Sequence, residues 1–153
     1  MLDIDLKNAK ILIVDDQEVN IDVLVGFLQN IGFSDIKSIT DPRSTVSLFK
    51  SFNPDIILLD LLMPQLSGFK VMEKLMPLIP VASFMPILVL TADVSAESKQ
   101  LALSSGAKDF LTKPFDFVEM GIRIHNLLFK GMCHCKADTL LDRFRVHPLL
   151  ILM

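Results

Sequence analysis

The 153-residue chain has no tryptophan and no tyrosine, three histidines and two cysteines. Its apolar content therefore rests on Leu, Ile, Val, Met and Phe. Cys133 and Cys135 are separated by one residue, a spacing too tight for an ordinary intrachain disulfide, and the acidic start Met1-Leu2-Asp3-Ile4-Asp5 is not expected to act as a signal peptide. The expectation is a reduced, cytoplasmic protein. His125 and His147 are the only histidines besides His134, so Cys133-His134-Cys135 lacks the four suitably spaced ligands of a zinc site and is expected to be a polar turn. Also missing is an apolar run of about 20 residues, the length that spans a bilayer. The longest mostly apolar stretch, residues 76–90, is interrupted by Pro77, Pro80 and Pro86. Positive charge is not in excess either. A net charge of −3 excludes a global basic field for nucleic acid or anionic membrane.

What is present is alternation. Lys10-Ile11-Leu12-Ile13-Val14-Asp15 is a short, β-branched run ending in acid, the pattern of a strand buried on both faces. Ile21, Leu24, Leu28 and Ile31 follow at helical spacing, with Gly32 as a stop. A weaker strand is expected over 35–39. Asp41-Pro42 opens a helix to about Phe52. Ile56-Ile57-Leu58-Leu59-Asp60 repeats the first pattern, and Pro86-Ile87-Leu88-Val89-Leu90-Thr91 gives another strand. Short helices are expected between Gly68 and Pro77 and between Ser95 and Gly106. A last strand over 109–112 leads to Lys113-Pro114. Asp116 and Glu119 then form a capping-box-like pair. The helix they open should bury Phe117, Met120, Ile124, Leu127 and Leu128 and end near Lys130.

Five β-α units imply an α/β fold, a five-stranded parallel doubly wound sheet with helices on both faces. A domain of this size buries roughly 68–70% of its unfolded surface and needs no staples. Ligands in such sheets bind at the carboxyl ends of the strands. Those ends carry Asp15, Asp16, Asp60, Thr91 and Lys113. One aspartate after a strand is ordinarily a cap or turn residue. Polar groups at four of five strand ends are harder to explain that way.

Adjacent strands lie about 4.8 Å apart. At about 5 Å and an effective dielectric near 20, each carboxylate pair costs roughly 3 kcal/mol. A hard cation relieves that cost, and all-oxygen ligands suit Mg²⁺, with Mn²⁺ as a substitute. Lys113 and the Thr91 hydroxyl would then meet a third anionic group. A carboxylate beside a divalent cation and a lysine is a plausible nucleophile toward phosphorus. Asp60, at the end of the most apolar strand, is the expected acceptor, and Asp15 and Asp16 the metal platform.

At these residues the chain resembles the response-regulator receiver family over about residues 9–130. The carrying motifs are Ile11-Leu12-Ile13-Val14-Asp15-Asp16, the run from Pro54 through Asp60 to Pro64 with Gly68, Pro86 to Ala92, and Gly106 to Phe115. The resemblance implies a flavodoxin-like sheet in the order 2-1-3-4-5. It implies Mg²⁺ held by Asp15, Asp16, Asp60 and the Leu62 backbone carbonyl, one of the acidic pair acting through water. It implies phosphorylation of Asp60, phosphoryl contacts from Thr91 and Lys113, a cis peptide at Lys113-Pro114, and Phe110 as the switch aromatic that moves with Thr91. The implied partner is a histidine kinase or histidine phosphotransfer protein. The face of the last helix is a candidate docking surface for a second copy or an output domain.

Leu62 is aliphatic where many family members are polar, and Asp93 is acidic. Both flank the expected route of attacking water, which Asp93 could orient, although its charge would also repel the phosphoryl group. Residues 1–130 are expected to form the receiver domain, and 131–153 a C-terminal extension or the start of a linker. The apolar stretch 149–153 is expected to pack back on the domain or join another chain. Two other functions compete. An aspartate-nucleophile phosphohydrolase of the haloacid dehalogenase type needs a second aspartate two residues after the first, where this chain has Leu62. A receiver-shaped module that never carries phosphate would have no need of the complete set of Asp15, Asp16, Asp60, Thr91 and Lys113.

Overall fold

The two most apolar runs become the centre of a sheet. In the computed structural model, which describes residues 6–80 and 83–144, β1 (Lys10–Val14), β2 (Asp35–Ile39), β3 (Ile56–Asp60), β4 (Ile87–Thr91) and β5 (Asp109–Thr112) pair in parallel in the order β2-β1-β3-β4-β5. β3 and β4 are buried along their whole length, and the edge strand β2 is not. Alternate side chains feed two cores, as a pleated strand requires. Ile11, Ile13, Leu58 and Leu90 pack with α1 (Glu18–Asn30) and α5 (Phe117–Phe144). Leu12, Val14, Leu59 and Val89 pack with α2 (Thr45–Phe52), α3 (Gly68–Leu75) and α4 (Ala96–Ser104). The expected fold is the one observed, with helices on both faces.

The expected helix starts also hold. Ser67 and Ser95 accept hydrogen bonds from Lys70 N and Ser98 N, capping α3 and α4. Asp41 caps a short 3-10 turn that leads into α2. Asp116 accepts from the amides of Val118 and Glu119. The capping box is only half made, because the Glu119 carboxylate bonds to Arg123 instead.

Three expectations differ. Phe117 stays partly exposed and stacks against Phe27, with ring centroids 5.0 Å apart. α5 does not end near Lys130 but continues to Phe144, so Cys133-His134-Cys135 lies on helix and not in a turn. Residues 132–144 hold neither proline nor glycine to stop a helix, and the single Gly131 costs only about 1 kcal/mol inside one. No helix among the described residues is long and apolar enough to cross a membrane. The apolar stretch 149–153 lies outside the described residues.

Candidate functional site

The register brings the polar strand ends together. Val14 pairs with Leu59, which puts Asp15 beside Asp60. Asp60 pairs with Leu90 and Thr91 with Thr112, so Thr91 and Lys113 follow on the next strands. Carboxylate oxygens of Asp15, Asp16 and Asp60 lie within 4.8 Å of one another. Asp15, Asp60 and Thr91 are buried. The Lys113 ammonium reaches back over the strand ends to Asp15 Oδ2 at 3.2 Å and Asp60 Oδ1 at 3.6 Å. The Lys113–Pro114 peptide is cis.

The three carboxylates are not equivalent. Asp15 is tied down: Oδ1 accepts from Gln17 N at 2.9 Å, and Oδ2 from Asn20 Nδ2 at 3.3 Å and from Lys113. Asp60 Oδ1 accepts from Leu62 N at 3.2 Å. Asp16 Oδ1 is buried with no hydrogen-bond partner among the described residues. A buried carboxylate oxygen left bare is costly, and such a group calls for an explanation. Next to two further carboxylates, the fitting explanation is a hard cation with oxygen ligands. Desolvation pushes the Asp60 carboxyl above the usual carboxylate value. Lys113 opposes this, Asp15 raises it again, the Leu62 amide lowers it, and Asp16 adds a smaller rise.

The loop after β3 is shaped by Gly68. A β-carbon there would stand 2.4 Å from the Asp60 carbonyl oxygen and 2.8 Å from Leu61 Cα. Gly68 N also donates to Leu61 O. The loop thus folds back onto the end of β3, which only glycine permits. Leu62 projects from it with 61% of its surface exposed.

On the other side, Thr91 Oγ1 accepts from Asp93 N at 3.0 Å. The Asp93 carboxylate accepts from Ser95 N at 2.8 Å and from the Ser98 hydroxyl. The Ser98 hydrogen bond, and then those of Ser95, hold its carboxyl below the usual value. Phe110 is half-buried in the core on the side of α2–α4, and Lys99 Nζ lies 4.8 Å from its ring centroid.

Residue types at strand ends did not point to Asn20, Gly68 or Ser98. Asn20 follows Asp15 by five residues, one turn into α1, and that spacing is a usable signal. Ser98 follows the cap Ser95 by three. Gly68 was visible in its motif, but the close approach that demands it was not.

Residues 11–125 match the family model described as "Response regulator receiver domain". The chain is 30% identical over 146 residues to the regulatory protein VanRc of Enterococcus gallinarum, covering 94% of this chain and 61% of that one. It is 35% identical over 121 residues to the alkaline phosphatase synthesis transcriptional regulatory protein PhoP of Bacillus subtilis, covering 79% and 49%. The chain therefore spans about half to three fifths of the length of these two relatives. The solved receiver domain of the Francisella response regulator 1452 superposes with a TM-score of 0.72 at 30% identity, covering 80% of this chain and 98% of that one.

Proposed function

Because the chain belongs to the response-regulator receiver family, we propose that it is a phosphorylation switch in which Asp60 accepts a phosphoryl group from a histidine kinase or a histidine phosphotransfer protein, with Mg²⁺ bound. The observation that carries this reading is the bare Asp16 oxygen beside Asp60, in a cluster closed on its other side by Lys113. Asp16, Asp60 and the Leu62 carbonyl would hold Mg²⁺ directly. Asp15, whose oxygens are occupied by Gln17, Asn20 and Lys113, would act through water. Mn²⁺ would serve in its place. The bound cation supplies positive charge to the carboxylates and to the incoming phosphoryl oxygens.

An Asp60 oxygen attacks phosphorus. The bond from phosphorus to the donor imidazole nitrogen breaks, and its electron pair stays on that nitrogen. Lys113 neutralises charge on the transferred group, and the Thr91 hydroxyl donates to one of its oxygens. Such transfers depend on positioning and charge neutralisation more than on covalent help. Phe110, on the same side as α4, would repack when Thr91 moves, and the α4–β5 edge would change shape against α5, which its core side chains hold in place. The protein turns over only its own acyl phosphate. Its outputs would be read by an output domain or a second copy at the outer face of α5, where Val118, Ile122 and Phe129 are exposed. The expected compartment is the cytoplasm, where the kinase would phosphorylate it. Residues 1–130 would be the receiver unit and 131–153 an extension or linker.

The test is incubation with a small acyl phosphate and Mg²⁺, followed by intact-mass analysis. One added phosphoryl group is expected, lost with chelator and lost in Asp60→Asn. Undiminished labelling of Asp60→Asn would overturn the assignment.

A further inference from the structure

Thr91 is held by a chain of hydrogen bonds that ends on α4. Its hydroxyl oxygen accepts from Asp93 N at 3.0 Å. The Asp93 carboxylate in turn accepts from Ser95 N at 2.8 Å and from the Ser98 hydroxyl. Ser95 is the N-cap of α4, and Ser98 stands in its first turn. A hydroxyl has one proton to donate and two lone pairs. Accepting the Asp93 amide occupies a lone pair and leaves the Thr91 proton to donate elsewhere. The direction of that proton then depends on where the Asp93 amide stands, which the two bonds to α4 determine.

We propose that Asp93 is a positioning residue for the Thr91 hydroxyl: clasped by Ser95 and Ser98, it holds that hydroxyl with its proton free for the phosphoryl group. The proposal rests on the phosphoacceptor reading above. It assigns the work of Asp93 to its hydrogen bonds and not to its charge. Asparagine in its place preserves both: its carbonyl accepts from Ser95 N, and its amide donates to the Ser98 oxygen, a hydroxyl being able to serve either way. The charge is lost and the clasp is kept. Alanine removes both. Lys99, beside Ser98, lies over Phe110, so the same helical turn touches both residues expected to switch.

The experiment measures the rate of phosphorylation by a small acyl phosphate at saturating Mg²⁺ in the full chain. Asp93→Ala is expected to lower the maximal rate about tenfold. Ser98→Ala should lower it by about threefold, and Asp93→Asn should stay within about twofold of wild type. Mg²⁺ affinity should remain unchanged in all three, because none of them supplies a ligand. In a Thr91→Ala background, Asp93→Ala should cause no further loss, since the group it positions is gone. Equal loss in Asp93→Asn and Asp93→Ala would overturn the proposal in favour of charge. A full tenfold further loss in the Thr91→Ala background would also overturn it. Should Asp93→Ala fail to fold, the comparison of Asp93→Asn with Ser98→Ala still decides. If wild type itself takes up no phosphoryl group, the underlying reading fails. If wild type is labelled and all three variants match it, only the clasp is wrong.

Discussion

α5 and α4 lie on opposite faces of the sheet and are held by different means. α5 sinks Met120, Ile124, Leu127 and Leu128 into the core, each no more than 5% exposed. α4 buries one side chain, Ala102, and leaves Leu101 and Leu103 about half exposed. Burial of one large aliphatic side chain is worth about 1.5–3 kcal/mol, so packing fixes α5 and does little for α4. The start of α4 is held instead by polar bonds: the Ser95 cap, the Asp93–Ser98 clasp and the Lys99–Phe110 contact. Polar bonds of this kind contribute about 1 kcal/mol each and can be exchanged for others at little cost. The helix next to Thr91 and Phe110 is therefore the one a local chemical event can move, while the helix opposite stays a fixed frame.

The sharpest way to break this comparison is to cut both anchors. Leu128→Ala should destabilise the protein by about 2–5 kcal/mol in denaturant unfolding, and Ala102→Gly by about 1 kcal/mol, mostly from helix propensity. Equal losses would erase the contrast. Amide hydrogen exchange should agree, with α4 amides opening well below the global unfolding free energy and those of α5 around Ile124 close to it.

A smaller effect is expected at Asp60. Burial raises the Asp60 carboxyl above its ordinary value of 3.8. The native state then binds the proton more tightly than the unfolded chain. The associated stability is present below the ordinary value and is lost as pH rises through the raised native one. Without divalent cation, Asp60→Asn should therefore be more stable than wild type at neutral pH, by on the order of 1 kcal/mol. The gap should close below about pH 4 and shrink when Mg²⁺ is added. A destabilised Asp60→Asn at neutral pH would contradict this picture of the site. The smallest expected effect concerns Leu62, which is exposed and cannot hydrogen-bond attacking water. Leu62→Asn should shorten the phosphoryl lifetime by a few-fold, from minutes or longer in wild type, as followed by decay after donor removal. Slower decay in Leu62→Asn would count against this role.

The contrast between α4 and α5 also shows what could be read in the chain alone. Strands β1, β3 and β4 are unbroken apolar runs, and their ends named Asp15, Asp60 and Thr91 directly. The core stripe of α5 was visible from its spacing, because burial on one face leaves a period. The end of α5 was not, since Gly131 is tolerated inside the helix and 132–144 has neither proline nor glycine to stop it. The work of Asp93 was also hidden. An acidic residue two positions after Thr91 looks like charge until Ser95 and Ser98 fold back to its two oxygens. Gly68 belongs to the same kind: its need depends on the Asp60 backbone, which the loop approaches only in three dimensions.

The most direct test of the central claim is to locate the phosphoryl group chemically. After labelling with an acyl phosphate donor and Mg²⁺, borohydride reduction converts an aspartyl phosphate to homoserine, and peptide mapping by mass spectrometry reports its position. The account predicts homoserine at position 60 alone, in the peptide that carries Leu58, Leu59 and Leu61. Homoserine at position 15 or 16 with an intact Asp60, or phosphate recovered on a serine or threonine, would contradict it.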